Sequence, residues 1–254
     1  MADWPYLGNS RVTDDGQGAA KKTVDTGSAN TKTGWVEITA SLDYSISGIL
    51  LGVQNAPGEY QVIDIGIGAG GSEIVVVPNL RISDSLSGGH ANNSHWIPLA
   101  LPAGTRIACR SQGSAGSAFC RLKFQYLYDA FAGIQAPSRY EDWGFNAANT
   151  QGTAFTTGAG SKGAWSQLIA ASAFTTKWIM IHVVGNTAPV DMWVDIGVGA
   201  AASEVVIVPN LQYTVENRSV TYGPIPLSIP AGSRVAACGQ AGGGTCTAHI
   251  TAGG

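Results

Sequence analysis

Charged residues are scarce in this sequence. Asp, Glu, Lys and Arg supply 12% of its 254 residues, against about 25% in typical soluble domains. The 14 Lys and Arg residues are scattered singly and the net charge is −3, so the chain lacks the basic patch of a nucleic-acid-binding protein. No apolar run approaches the length of a membrane-spanning helix, and the start, MADWPYLGNS, lacks the features of a secretory signal. We therefore expect synthesis in a cytoplasm, without a signal peptide or membrane insertion.

Helix-forming patterns are also absent, and glycine is abundant instead. The 34 glycines are about twice the usual share. Gly, Ser, Thr, Ala and β-branched residues dominate, a mixture that favours short strands joined by tight turns. No Ser-His-Asp or Cys-His arrangement stands out, which predicts a protein that is not an enzyme and holds no cofactor.

The sequence contains an internal duplication. DIGIGAGGSEIVVVPNL, at 64–80, returns as DIGVGAAASEVVIVPNL at 195–211, and IPLALPAGTRIA, from Ile97, returns as IPLSIPAGSRVA from Ile225. A match of this length indicates duplication of a whole domain and not a short solenoid repeat. We predict two domains, at 1–130 with an N-terminal arm and at 131–254 with a short linker and arm at 131–160.

Each repeat has the periodicity of β-strands. From Gln61 to Gly68, Ile63, Ile65 and Ile67 alternate with smaller or polar residues. The run from Ile74 to Val77 is apolar on both faces, which predicts a central strand. Seven or eight short strands per repeat predict an all-β fold of two tandem, duplicated, antiparallel β-sandwich domains with jelly-roll-like topology.

Two features of the repeats suggest sites. The pairs Asp64 with Glu73 and Asp195 with Glu204 could serve as acid and base, but we favour carboxylates that bracket a glycine-rich hairpin and bond to its backbone. Close approach of another backbone or flat ring would be permitted by four glycines: Gly66, Gly68, Gly197 and Gly199. These glycines are candidate assembly contacts, with sheet curvature as the alternative.

Aromatic residues in the arms are further candidate contacts. Trp4 and Trp143 lie in the irregular segments that precede the two repeats, and each follows an aspartate. Burial between subunits and stacking on sugar rings would use the same chemistry.

The four cysteines form two local pairs. Cys109 and Cys120 flank one glycine-rich loop, and Cys238 and Cys246 flank another. This spacing predicts a cross-strand disulfide in each repeat if the mature protein works outside a reducing cytoplasm, and the alternative is four buried thiols. A zinc site is not expected, because its ligands would come from two domains.

The histidines suggest one recognition loop. His182 lies in an apolar run and is best explained as a hydrogen-bonded strand residue. The segment SGGHANNSHW differs completely from its counterpart ENRSVTYG, and loops that vary on a constant scaffold often bind ligands. Its candidate recognition residues are His90, Asn92, Asn93, His95 and Trp96, with unconstrained drift as the alternative.

The motifs DIGIGAGGSEIVVVPNL and IPLALPAGTRIACRSQ, with their second copies, resemble β-sandwich modules of structural proteins of tailed bacteriophages and phage-like particles. Such proteins include tail and head fibres, spikes and capsid-decorating proteins. The resemblance implies a structural or host-attachment role in a virion, in an oligomer for which we favour a trimer, and it carries over no catalytic residues. The alternatives are a carbohydrate-binding adhesin and, more remotely, a polysaccharide-degrading enzyme.

Overall fold

The computed structural model describes residues 12–14, 22–55, 60–82, 91–118, 120–127, 137–185, 191–213, 219–242 and 244–254. No helix that could cross a membrane occurs among these residues. The structure does not describe Trp4, His90 or the segment 128–136, and it does not describe the side chains of residues 12–14, 55 and 91–93. The domain boundary near residue 130 therefore stays a prediction.

Nine strands form the first repeat. Their bounds are β1 Val12–Asp14, β2 Lys22–Thr23, β3 Val36–Thr39, β4 Gly48–Asn55, β5 Gln61–Ile67, β6 Ile74–Ile82, β7 Ala91–Ile97, β8 Ile107–Gly113 and β9 Cys120–Leu127. One sheet has the order β1-β9-β4-β7, with β2 also paired to β9, and the other has the order β3-β8-β5-β6. Apart from the β5–β6 hairpin, which lies within one sheet, successive strands from β2 onward alternate between the two sheets in the manner of a jelly roll.

The second repeat reproduces this connectivity. Its strands are β10 Tyr140–Trp143, β11 Thr153–Ala159, β12 Ser166–Ile169, β13 Trp178–Gly185, β14 Met192–Val198, β15 Val205–Tyr213, β16 Ser219–Pro226, β17 Val235–Ala241 and β18 Gly244–Gly253. Here β18 pairs with β10, β11 and β13, and β13 pairs with β16, while β17 pairs with β12 and β14, and β14 pairs with β15. Strand β11 also pairs in parallel with β17, so the two groups of strands join in one nine-stranded sheet. The predicted all-β, jelly-roll-like fold is confirmed.

Each repeat encloses its own apolar core. Ile63 and Ile65 of β5 point inward with Phe124 of β9 in the first repeat, and Val194 and Ile196 of β14 do so in the second. Trp178 and Met180 belong to the second repeat but pack against the core of the first. The two repeats therefore share apolar surface at their junction.

The prediction of a central strand at Ile74 to Val77 is wrong. Strand β6 is the edge of its sheet, and Ile74 is 69% exposed and Val75 36% exposed. Val205 and Val206 occupy the same places in β15 and are exposed as well. An apolar run on both faces suits a buried strand, but here the apolar pair lies on an edge strand, next to the turn of the β5–β6 hairpin.

Candidate functional site

The repeated aspartate holds a bend in the edge strand. Asp64 Oδ1 accepts hydrogen bonds from the Asn79 backbone N–H, at 2.8 Å, and from Lys32 Nζ, at 2.8 Å. Asn79 has a positive φ of 45°, and the bond to Asp64 satisfies its N–H where the β5–β6 register shifts. In the second repeat, Asp195 makes the corresponding bonds to the Asn210 N–H and Lys162 Nζ, at 2.6 and 2.7 Å.

The repeated glutamate closes the preceding hairpin. Glu73 accepts hydrogen bonds from the Gly71 N–H, at 3.0 Å, and from Arg106, at 2.9 Å. Burial acts to raise the pKa of Glu73, but hydrogen bonds from the backbone and from Arg106 together hold it below its usual value. Glu204 and Arg234 repeat the ion pair at 2.6 Å. Both glutamates stay ionised at neutral pH, so they lack the raised pKa of a general acid, and their bonds fit the bracketing interpretation.

The glycines proposed as assembly contacts face a ring of their own repeat. A Cβ at Gly66 would lie 2.6 Å from the Trp35 ring, and one at Gly197 would lie 2.7 Å from the Trp165 ring. Gly68 and Gly199 have positive φ values of 110° and 124° in the hairpin turns. The flat ring that the sequence predicted is present, but it comes from within the repeat and not from a neighbouring subunit.

The predicted recognition segment forms strand β7 from Ala91 onward, and His90 lies outside the described residues. Asn92 and Asn93 lie in β7, which pairs with β4 along its whole length. His95 is buried, and burial lowers its pKa to about 4. The Trp96 ring covers Gly48, where a Cβ would lie 2.2 Å from it. A loop interpretation failed because the polar residues on this strand obscure its alternation.

Trp143 is also internal. It is fully buried in the core of the second repeat, beside Ile250 and Ala252. The residue is therefore a core anchor of β10 and not a contact between subunits. Trp4, its counterpart in the sequence prediction, lies outside the described residues.

The four cysteines are free, buried thiols in the structure, which is the alternative given above, and the disulfides stay a prediction for an oxidising environment. Cys109 lies in β8 and Cys120 in β9, and these strands belong to opposing sheets and do not form a hairpin. Cys238 lies in β17 and Cys246 in β18, and these strands are not hydrogen-bonded neighbours either, because β11 lies between them. Burial raises the pKa of the Cys109 thiol, and nearby Cys120 adds to this effect. Burial raises the pKa of Cys238 to about 11 and that of Cys246 to about 12, so neither is a reactive thiolate at neutral pH.

One surface of the first repeat is covered by the second repeat. This covered surface consists of Val62, Asn79, Arg81 and Gln112 on β5, β6 and β8. Asn79 Nδ2 donates to Asp142 Oδ2 at 2.6 Å, and Arg81 donates to the Thr150 carbonyl at 2.7 Å. Gln112 Nε2 donates to the Ala147 carbonyl and the Thr150 hydroxyl, at 2.7 and 2.9 Å. These hydrogen bonds join the two repeats across the junction.

Histidines fill the centre of the junction. The His182 and His249 rings stack with centroids 4.4 Å apart, and both side chains are fully buried. His182 bonds to the Thr221 and Thr251 hydroxyls, as expected of a strand residue, and His249 Nε2 lies 3.2 Å from the Asn79 carbonyl. Burial, reinforced by Arg81, lowers the pKa of both rings well below 6.5. They are therefore neutral at pH 7.

The same surface of the second repeat is open. Val62 pairs with Arg81 and Gln112, and at the equivalent register Trp193 pairs with Gln212 and Gln240. With Asn210, these three residues line a shallow depression of about 410 Å³. Trp193 is 39% exposed, and Asn210 and Gln212 are exposed too. This open surface of Trp193, Asn210, Gln212 and Gln240 is the candidate functional site.

Sequence reasoning missed this site. The sequence comparison concentrated on the residues that the two repeats share. The site is instead indicated by differences at equivalent positions, where Trp193 replaces Val62 and Gln212 replaces Arg81. A tryptophan that replaces a valine on the polar side of a conserved strand pattern could have marked it. Across the described ranges, no cluster of three or more His, Cys, Asp or Glu residues could hold a metal ion.

No protein-family model matches the chain, and no curated protein matches it in sequence. The solved structures with similarity over most of the chain include a viral major capsid protein, the STIV MCP, at 10% identity and a TM-score of 0.36, covering 97% of this chain and 96% of that one. PNGase F, a glycosylasparaginase from Flavobacterium meningosepticum, has 8% identity and a TM-score of 0.34, with coverage of 92% and 96%. The CBM22-1-CBM22-2 tandem domain of Paenibacillus barcinonensis Xyn10C has 8% identity and a TM-score of 0.26, with coverage of 96% and 91%.

Proposed function

We propose that this chain is a structural protein of a tailed-bacteriophage virion or phage-like particle, as a tail, spike, fibre or capsid-decorating component. It acts by packing against other protein domains and catalyses no reaction. The observation that carries the proposal is the covered surface, on which one jelly roll binds the next through bonded polar groups around Asn79, Arg81 and Gln112. The resemblance of the duplicated motifs to virion modules supplies the particle context.

The surface chemistry supports an assembly role. A sparsely charged exterior has few ions to desolvate when it is covered, and desolvation is the main cost of burying ionic groups in an interface. Amide side chains such as Asn210, Gln212 and Gln240 can pair with backbone groups of a partner, as Gln112 does with the Ala147 carbonyl. The open surface therefore suits a protein partner.

Particle composition tests the proposal. Particles released by lysis of a culture that carries the gene are banded on a density gradient, washed in high salt and analysed by quantitative mass spectrometry. We expect this chain in the particle band at a fixed ratio to the most abundant structural protein. If it is recovered only among free proteins, the proposed function is wrong.

A carbohydrate-binding adhesin is the second candidate, and the exposure of Trp193 favours it. An exposed indole flanked by the amides of Asn210, Gln212 and Gln240 could stack on a sugar ring and bond to its hydroxyls. Titration calorimetry with oligosaccharides from the host surface tests this. If the adhesin role is right, Trp193→Ala weakens saturable binding by about tenfold or more, whereas Tyr44→Ala, at another exposed aromatic residue, leaves it unchanged.

A further inference from the structure

The chain carries two copies of one binding arrangement but uses only one of them internally. The covered surface on the first repeat binds the outward side of β18 and the adjacent β10 of the second repeat. We call the outward residues Thr247, His249 and Thr251 the β18 face. The open surface repeats the receiving half of this arrangement, and no described residue of the same chain fills it as the β18 face fills the covered surface.

The first repeat also contains the docking half. In β18, His249 pairs with His182 of β13, and at the equivalent register Lys123 of β9 pairs with Gly52 of β4. The outward residues of β9, which we call the β9 face, are Arg121, Lys123 and Gln125. Beside it, β1 pairs with β9 as β10 pairs with β18, so that Asp14 stands opposite Gln125 where Asp142 stands opposite Thr251. Arg121 of this face is exposed, and Lys123 and Gln125 are partly exposed.

The cations lie on the receiving surface in the internal contact and on the docking face in the unused pair of surfaces. The covered surface and its border contain Arg81 and Arg110, and the facing β18 positions are neutral His249 and Thr247. On the open surface the equivalents are Gln212 and Cys238, which have lost both cations. The β9 face has gained two, Lys123 and Arg121. Each receiving surface is thus matched to one docking face, since two cation-bearing partners would repel each other.

The sizes of the side chains on the open surface and on the docking sheet of the first repeat are also complementary. The receiving surface gains bulk where Val62 becomes Trp193, and the docking sheet loses bulk where His182 becomes Gly52. Tryptophan is among the residue types that most often dominate the binding energy of a protein interface, and Trp193 is partly exposed on the open surface. The open surface is therefore complementary to the first repeat of this same chain.

We infer that the open surface of the second repeat binds the β9 face of a second copy of this chain, so that copies join head to tail. This inference names the partner for the assembly role proposed above and rests on it. A head-to-tail contact uses different surfaces on its two sides, so it closes into a ring or continues as a filament. Because the internal and external contacts share one geometry, the assembly presents a continuous row of similar jelly rolls.

Solution mass tests the inference. Full-length protein is examined by light scattering and sedimentation over a range of concentrations, and we expect an oligomer. Trp193→Ala should raise its dissociation constant by about 30-fold or more, the effect of a dominant interface residue. Tyr44→Ala is the matched control at an exposed aromatic residue outside both surfaces, and its dissociation constant should equal that of the wild type. Unchanged far-ultraviolet circular dichroism spectra show that both variants are folded.

A charge exchange gives a sharper test. Arg81 lies close enough to His249 to lower its pKa, so Gln212 of one copy should meet Lys123 of the next. Gln212→Arg should weaken association about tenfold or more through like-charge repulsion. Adding Lys123→His recreates the internal combination and should restore association to near the wild-type value. A merely destabilising Gln212→Arg substitution would not be rescued in this way.

Three results would overturn the inference. They are a wild-type monomer at every concentration, an oligomer indifferent to Trp193→Ala and to the charge exchange, and a monomer whose open surface binds oligosaccharide. A monomer that nevertheless bands with particles overturns the inference and leaves the proposed function standing. A head-to-tail oligomer that never enters particles supports the inference about the contact and overturns the proposed function.

Discussion

Acidification below about pH 6 is expected to destabilise the protein by about 2.7 kcal/mol for each pH unit down to about pH 4.5. Three histidines at the junction of the repeats are the cause. Burial lowers the pKa of His95 to about 4 and those of His182 and His249 well below 6.5. In the unfolded chain the three histidines bind protons near pH 6.5, whereas in the native chain they do not. The free energy of unfolding therefore decreases as the pH falls below that value.

One carboxyl opposes the histidines. Burial raises the pKa of Asp142 to about 7, against the lowering effect of its bond to Asn79 and of Lys32. The native state therefore binds one proton that the unfolded state releases down to about pH 4, and this gain increases stability as the pH falls. The unfolded state thus binds about two more protons than the native state. Each proton changes the free energy of unfolding by about 1.4 kcal/mol per pH unit. Lys32 and Arg81, which face the same cluster, act in the same direction as burial and lower the pKa of His249 further.

Urea unfolding between about pH 6 and pH 4.5 measures the slope. His249→Gln keeps a donor for the Asn79 carbonyl but cannot titrate, so the slope should fall by about 1.4 kcal/mol per pH unit. Asp142→Asn should steepen it by the same amount, because the opposing proton is gone. If stability is flat across this range, or if both variants change the slope in the same direction, the account of the junction is wrong.

The sequence was sufficient to predict the fold because the strand pattern is local and duplicated. Alternation at Ile63, Ile65 and Ile67 and the turn residues between strands point to a sandwich without any knowledge of long-range pairing. The partners of each strand depend on the connection of the whole chain. For that reason the edge position of β6 and the separation of Cys109 from Cys120 into opposite sheets could not be read from spacing.

The candidate site was hidden for a related reason. Asn79 and Asn210 occupy identical motifs, yet one is bonded to Asp142 and the other is exposed. Local sequence is the same for both, so only the packing of one repeat on the other distinguishes them. Once that packing is seen, the differences at Trp193 and Gln212 acquire a meaning that composition and periodicity do not give.

Trp178 connects the two repeats. It is fully buried, begins β13 of the second repeat and packs against the core of the first. Its ring meets the Tyr140 ring edge-on at 5.2 Å, and the Tyr140 hydroxyl donates to the Pro98 carbonyl of the first repeat. Shared apolar surface of this kind makes two domains unfold together, whereas a small polar junction lets them move independently.

Trp178→Ala is therefore expected to lower the free energy of unfolding by about 3–5 kcal/mol, because it leaves a large cavity at this shared surface. The loss is a large part of the stability of an ordinary domain, and it should split a single calorimetric transition into two as the repeats uncouple. Trp178→Phe should cost much less, since it keeps an aromatic ring and removes an indole N–H that has no bonding partner. Trp193→Ala is the matched control on the open surface, where little cavity can form. Equal shifts for Trp178→Ala and Trp193→Ala, or one unbroken transition in Trp178→Ala, would show that the repeats do not depend on this contact.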